Sequence, residues 1–250
     1  MSRGETPEDA AFRAEANEFL AAFAPPRKPG DDVDTTMFVV DPGAERDMVA
    51  RGRAWQRVKF DHGWAGIHWP EAYGGRGGTV RQDLIFREEE QKFVSVWLTH
   101  NLGHAVAGPP ILQHGTEDQK RRFLPPMLRG DTVWCQLFSE PAAGSDLGAV
   151  RTAAVRDGEE WVVNGQKVWS SKAHFSDWGL LVTRTDFDAD KYRGITCLVV
   201  DMRSPGVEVR PIRQINGACH FNEVFLTDVR VPSGHVIGAP DRGWGVALST

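Results

Sequence analysis

The chain has 250 residues, 41% hydrophobic and 25% charged, with a formal net charge of -5, an ordinary globular composition with enough apolar material for one large core or two smaller ones. Basic residues are scattered without a cationic stripe, which argues against nucleic acid; no apolar run reaches the roughly 18–20 residues of a membrane span, and the polar stretch Met1 to Ala10 lacks the apolar segment of a signal peptide. Three irregularly spaced cysteines, Cys135, Cys197 and Cys219, suit neither a disulfide scaffold nor a zinc site, and a reducing cytoplasm is the expected location.

The first half reads as helical. Thr6-Pro7 is a helix start, with Thr as N-cap and Pro in the first turn. Phe12, Ala16, Phe19, Leu20 and Phe23 then share one helical face, and Pro25-Pro26 ends the helix. A second helix is expected from Glu45 to about His62, with Met48, Trp55 and Val58 on one side. Trp64 to Thr79 is glycine-rich and irregular. Arg81 to Leu98 returns to helix. Thr116-Glu117-Asp118-Gln119 has the form of a capping box, and the helix it opens is expected to close at Pro125-Pro126.

From Thr132 onward, short strand signals come densely. Asp157-Gly158 and Asn164-Gly165 read as hairpin turns. Strands are expected over Trp161 to Val163, Gln166 to Ser171, Gly179 to Thr185, Ile195 to Asp201, Val207 to Ile212 and Phe221 to Val231. The fold class is α+β: an all-helical domain over 1–130, then an antiparallel barrel or sandwich of about seven strands over 131–240. Gly243 to Thr250 reads as the start of a further helix, so 241–250 is expected to begin a truncated C-terminal helical domain.

Several motifs are weak. Gly74-Gly75-Arg76-Gly77-Gly78 lacks G-x-G-x-x-G spacing and a preceding strand, so it reads as a flexible loop. His100 and His104 are four apart, but Asn101 stands where a zinc-protease helix has glutamate, and no metal site is expected. Gly144-Ser145-Asp146 lacks the spacing of a nucleophile elbow.

Two segments carry more. In Gln136 to Asp146, a strand gives way to a tight turn of small residues, where a bulky ligand can approach the backbone and free N–H groups can meet carbonyl or phosphate oxygens. An ordinary loop with Ser145 as a local cap is the alternative. In Asn164 to Ser171, strand alternation would place Trp169 and Ser171 on one face. A large ring beside a hydroxyl could cover a flat ligand and bond its edge; a core tryptophan on a half-exposed strand is the alternative.

Together these segments, their order and the helix-then-strand layout resemble the acyl-CoA dehydrogenase family. Gly66 to Gly75, Gly115 to Lys120, Asn222 to Phe225 and Val229 to Pro232 match as well. The resemblance covers essentially the whole chain and is closest to bacterial members acting on bulky or branched acyl chains, including steroid side-chain degraders. It implies FAD as cofactor, with Gln136, Leu137, Phe138 and Ser139 along the pyrimidine edge. Ser145 falls where flavin and CoA-thioester meet, and so serves cofactor and substrate; Trp169, Ser170 and Ser171 pack on the isoalloxazine and bond near N5. Serine replaces the usual threonine at Ser139 and Ser171, keeping the hydroxyl. The implied reaction is α,β-desaturation of an acyl-CoA, with electron-transfer flavoprotein as acceptor and a homo- or hetero-oligomer as assembly. The family's glutamate base belongs to a C-terminal four-helix domain, so no catalytic base is assigned here, and Glu140 is expected to be structural. Two other readings stay open: a non-catalytic flavin- or acyl-CoA-binding subunit completed by a partner chain, and a same-fold acyl-CoA oxidase or flavin monooxygenase.

Overall fold

The computed structural model describes residues 4–28, 41–95 and 98–250. Helix α1, Pro7–Phe23, opens on a capping box in which the Thr6 hydroxyl accepts from the Asp9 N–H and the Asp9 carboxylate accepts from the Thr6 N–H. Phe12, Ala16, Phe19 and Leu20 are buried, whereas Phe23 is exposed. Helix α2, Pro42–Asp61, begins three residues before the expected Glu45, because the Asp41 carboxylate accepts from the Ala44 N–H and Pro42 suits the first turn. Helix α3, Val80–Glu90, stops well short of Leu98. The backbone after it has another partner: Lys92 O accepts from Arg27 N, and Val94 N donates to Pro25 O.

The glycine-rich stretch is bonded rather than loose. Gly75 N, Gly77 N and Gly78 N donate to Pro70 O, Trp69 O and Ile67 O, and a Cβ on Gly75 would lie 2.2 Å from Trp69 O.

A π-helical turn over Gly103–Ala107 leads into α4, Gly108–His114; neither was foreseen. Helix α5, Glu117–Arg129, opens on the expected Thr116–Gln119 capping box. It does not close at Pro125-Pro126; both prolines lie inside it. Met127 and Leu128, beyond the pair, are buried. Burial of such side chains contributes about 1.5–3 kcal/mol each and offsets much of the roughly 3 kcal/mol that an interior proline costs.

Eight strands follow: β1 Trp134–Leu137, β2 Ala153–Asp157, β3 Glu160–Lys167, β4 Trp178–Arg184, β5 Ile195–Asp201, β6 Val207–Ile212, β7 Phe221–Pro232 and β8 Val236–Ile237. Their order is β6-β7-β3-β2-β4-β5-β8, with β1 paired to β4. The sheet is mostly antiparallel, but β1 and β2 each run parallel to β4.

The Asp157-Gly158 hairpin forms as expected between β2 and β3. Asn164-Gly165 is not a hairpin turn. It lies inside β3 at a register shift against β7, a β-bulge. Asn164 and Asp228 hold the bulge by reciprocal hydrogen bonds of 3.0 and 2.9 Å. Glycine is needed at 165 because a Cβ there would lie 2.5 Å from Thr152 Oγ1.

The sheet separates two cores. One face encloses Leu137, Trp161, Val163, Leu181, Leu198, Leu226 and Val231, and β5 and β7, apart in strand order, touch across this interior. The opposite face brings Trp134, Leu180, Val182 and Val199 against Ile111, Phe123 and Leu124 of α4 and α5, and against Val246 of α6, Gly243–Ala247. A third core stacks Phe19, Trp64 and Phe86 within the helical layer.

Candidate cofactor and thioester site

The two segments singled out in the sequence meet at the end of β1. Lys167, the last residue of β3, is fully buried and donates to Phe138 O at 2.9 Å, Glu140 Oε1 at 2.8 Å and Val182 O at 2.7 Å. One residue on, Val168 N donates to Ser139 O at 2.9 Å. Glu140 is 8% exposed and also accepts from Arg151 N at 2.7 Å and Thr152 N at 2.9 Å. Burial penalises its carboxylate, but Lys167 and the backbone donors hold it below its ordinary value. Burial pulls Lys167 down to about 8 against the attraction of Glu140. Three acceptors around one nitrogen call for three hydrogens, so the group is an ammonium at neutral pH. The pair is a structural clamp fixing the chain direction on either side of the site.

The expected site residues fall unevenly around this clamp. Leu137 is 0% exposed and lies in the sheet interior, which does not place it at an open ligand surface as expected. Phe138 is buried in the core beneath the helices, while Gln136 and Ser139 are half-buried. No described strand pairs the second edge of β1.

Trp169 and Ser171 do not share a strand face as alternation required. The strand ends at Lys167 and Trp169 takes a left-handed backbone, φ 60°. That conformation is costly for a bulky side chain and marks a functional constraint. The indole is 59% exposed and edge-on to Phe221 at 5.9 Å. Ser170 is buried; its N–H and C=O pair with Asn222, and its hydroxyl has no partner. Ser171 is half-buried. Behind them His174 bridges Glu45 of α2, at 3.0 Å, to the Asn222 side chain, at 3.1 Å.

Ser145 sits in the exposed turn Gly144-Ser145-Asp146, where a Cβ on Gly144 would meet open space. Asp146 pairs with Lys191 of the β4–β5 loop at 2.7 Å. Arg184, buried at the end of β4, ties the two loops by donating to Gly148 O and Val150 O on one side and to Lys191 O and Arg193 O on the other.

Lys167, Arg184 and His174 escaped the sequence reading. Alternation counted from Trp161 and Val163 points Lys167 inward, and an inward cation calls for an anion, which was the available signal. Nothing local marks Arg184 or His174. Among the described residues no group of three His, Cys, Asp or Glu is placed to hold a metal.

A large exposed ring on a strained backbone, an unpaired strand edge beside it, an unmet buried hydroxyl and an open turn of small residues thus lie on the two segments singled out in the sequence. These residues fit an isoalloxazine. The sequence matches the family model "Acyl-CoA dehydrogenase, N-terminal domain" over residues 6–131 and "Acyl-CoA dehydrogenase, middle domain" over 135–229. The chain belongs to the acyl-CoA dehydrogenase family. It is 42% identical over 209 residues to acyl-CoA dehydrogenase IpdE1 of Mycobacterium tuberculosis, covering 84% of this chain and 54% of that protein. It is 47% identical over 196 residues to acyl-CoA dehydrogenase FadE34 of the same organism, covering 76% of this chain and 26% of that protein. Among solved structures, a ChsE4–ChsE5 complex from M. tuberculosis matches with TM-score 0.75 at 31% identity, over 99% of this chain and 60% of that one. The Tcur3481–Tcur3483 steroid ACAD matches with TM-score 0.77 at 29% identity, over 100% and 62%. The chain thus spans about half the length of IpdE1.

Proposed function

We propose that this chain is the flavin- and thioester-binding part of an FAD-dependent acyl-CoA dehydrogenase that forms an α,β double bond in an acyl-CoA. The observation that carries the reading is Trp169: an exposed indole held in a strained backbone beside a free strand edge. When bound, FAD supplies the hydride acceptor for this chemistry. The chain's own part is to orient. Trp169 offers a stacking face, the segment Gln136, Leu137, Phe138 and Ser139 would run along the pyrimidine edge, and Ser170 and Ser171 offer hydroxyls. Ser145 presents its hydroxyl in the turn where the thioester would lie, and the Glu140–Lys167 clamp fixes both segments.

No residue of the chain is assigned as the base that removes the α-proton. Glu140 is fully engaged in the clamp and Asp146 in its bridge to Lys191. The units proposed are a helical domain over 1–130, a β-domain over 131–240 and the start of another helical unit over 241–250. The reading extends to a cytoplasmic enzyme with electron-transfer flavoprotein as acceptor. It also extends to a homo- or hetero-oligomer, an assembly supported by the heteromeric ChsE4–ChsE5 relative.

The test is anaerobic mixing of the FAD-loaded chain, with and without a base-bearing partner chain, with a panel of acyl-CoAs while the flavin spectrum is followed. Flavin bleaching by acyl-CoA, slow for the chain alone and fast when a base is supplied, is expected. A chain that retains no FAD under any of these conditions would sink the reading.

A further inference from the structure

Nine buried side-chain polar atoms among the described residues have no hydrogen-bond partner. Four of them fall on one short segment after α3: Ser95 Oγ, Thr99 Oγ1 and both ring nitrogens of His100. The three residues are only 3%, 2% and 2% exposed. A fifth is Ser170 Oγ, beside Trp169. The two segments are tied together, because Lys172 Nζ donates to Asn101 Oδ1 at 2.8 Å. Five of the nine unmet atoms therefore lie on two stretches of chain joined by this bond, one of them the Trp169 segment. Buried polar groups in folded proteins are almost always satisfied, so such a concentration points to a ligand that completes them. The π-helical turn Gly103–Ala107 follows directly, and such turns recur at functional sites.

The chemistry of the missing partner can be read from the groups. Burial drives the His100 imidazole down to about 2, so the ring is neutral and offers one donor and one acceptor. Ser95 and Thr99 offer hydroxyls that can do either. The cations whose fields reach His100 are Lys59, Arg53 and Lys172. Lys59 is paired with Glu90, Arg53 with Asp177, and Lys172 is bound to Asn101. The set is matched to an uncharged oxygen rather than to a carboxylate. We infer that Ser95, Thr99 and His100 form a receptor for a hydroxyl or ketone oxygen on the acyl part of the substrate. The substrate class is then an oxygenated acyl-CoA, not a plain alkyl thioester. This rests on the acyl-CoA reading above.

The experiment is calorimetric titration of the chain, with FAD in excess, using octanoyl-CoA and its hydroxylated counterparts bearing the hydroxyl at C5 to C8. At least one hydroxylated thioester should bind about tenfold or more tightly than octanoyl-CoA, the scale of a satisfied buried hydrogen bond. Thr99→Val and His100→Leu should remove that preference while leaving octanoyl-CoA affinity nearly unchanged. His100→Gln, which keeps a donor and an acceptor, should retain part of it. If internal water alone satisfies these groups, all the thioesters bind alike and the variants shift only the melting temperature, which overturns the inference. Equal binding with normal flavin reduction overturns the inference and leaves the dehydrogenase reading standing. Binding of no acyl-CoA at all overturns both.

Discussion

Trp169 sets strain against binding. Its left-handed backbone costs a non-glycine residue of order 1–3 kcal/mol, and its ring lies open to solvent. Stacking on an aromatic face contributes about 1 kcal/mol beyond area burial. Trp169→Ala should therefore weaken FAD retention about fivefold or more, measured by equilibrium dialysis. Trp169→Gly should lose FAD equally yet melt higher than Trp169→Ala, since glycine takes φ 60° without penalty. A glycine variant no more stable than the alanine variant would show that the backbone is not strained there. The Glu140–Lys167 clamp behaves in the opposite way, stabilising the fold without meeting a ligand. Removing one partner of a buried pair costs about 3–5 kcal/mol, so Glu140→Gln should lower stability on that scale in urea melts. Glu140 is held below its ordinary 4.5 in the folded chain. The unfolded chain therefore binds the proton more readily, and the carboxylate's contribution is fully present above pH 4.5 and lost as pH falls through the folded value. Wild type should lose stability on acidification through this window, and Glu140→Gln should lack that component. Parallel pH profiles for the two proteins would contradict the clamp.

At the scale of elements, side chains read correctly where a local cap or a strict period governs, and fail where a distant neighbour does. The Thr116–Gln119 capping box and the spans of β5 and β6 fall where sequence places them, because each is specified within a few residues. The early end of α3 depends on pairing with residues 25–27, some 65 positions away. The passage of α5 through two prolines depends on the core that Met127 and Leu128 enter. Of the candidate site, the two segments that meet were legible as motifs. The ammonium that joins them had a signal in the alternation of β3, whereas nothing local marked the left-handed backbone at Trp169. Asn164-Gly165 illustrates the difficulty: the dipeptide of a tight hairpin serves instead to let β3 pass Thr152. Gly165→Ala should thus destabilise the chain by about 1–3 kcal/mol through overpacking. Because β3 delivers Lys167 and Trp169 to the site, FAD affinity should fall with it. If Gly165→Ala melts like wild type, the close approach to Thr152 is not a constraint.

At the scale of the whole molecule, the helical layer and the sheet are joined by polar ties as well as by the apolar face of β1, β4 and β5. Asp177, just before β4, accepts from Arg53 of α2 at 2.8 Å, from Arg203 at 2.6 Å and from the Val133 N–H at 2.8 Å. Arg53 also donates to Asp131 O at 2.6 Å, and Gln119 of α5 donates to Gly234 O and Val236 O at 2.8 and 2.7 Å. The helical layer is thereby fixed to the sheet by two sets of polar ties, one from α2 and one from α5. Such coupling predicts one cooperative unfolding transition. Helical circular dichroism and tryptophan fluorescence should lose signal at the same urea concentration. Asp177→Ala leaves the Val133 N–H without its partner and Arg53 with only Asp131 O, at a cost of about 1–3 kcal/mol. Because the lost contacts lie between the layers, both probes should move to lower urea together. If wild type already shows two separate transitions, or if Asp177→Ala moves only one probe, the helices and the sheet unfold independently. The site would then rest on the β-domain clamp alone, and His174 and Asn101, which reach across the same boundary to the Trp169 segment, would lose their role in holding it.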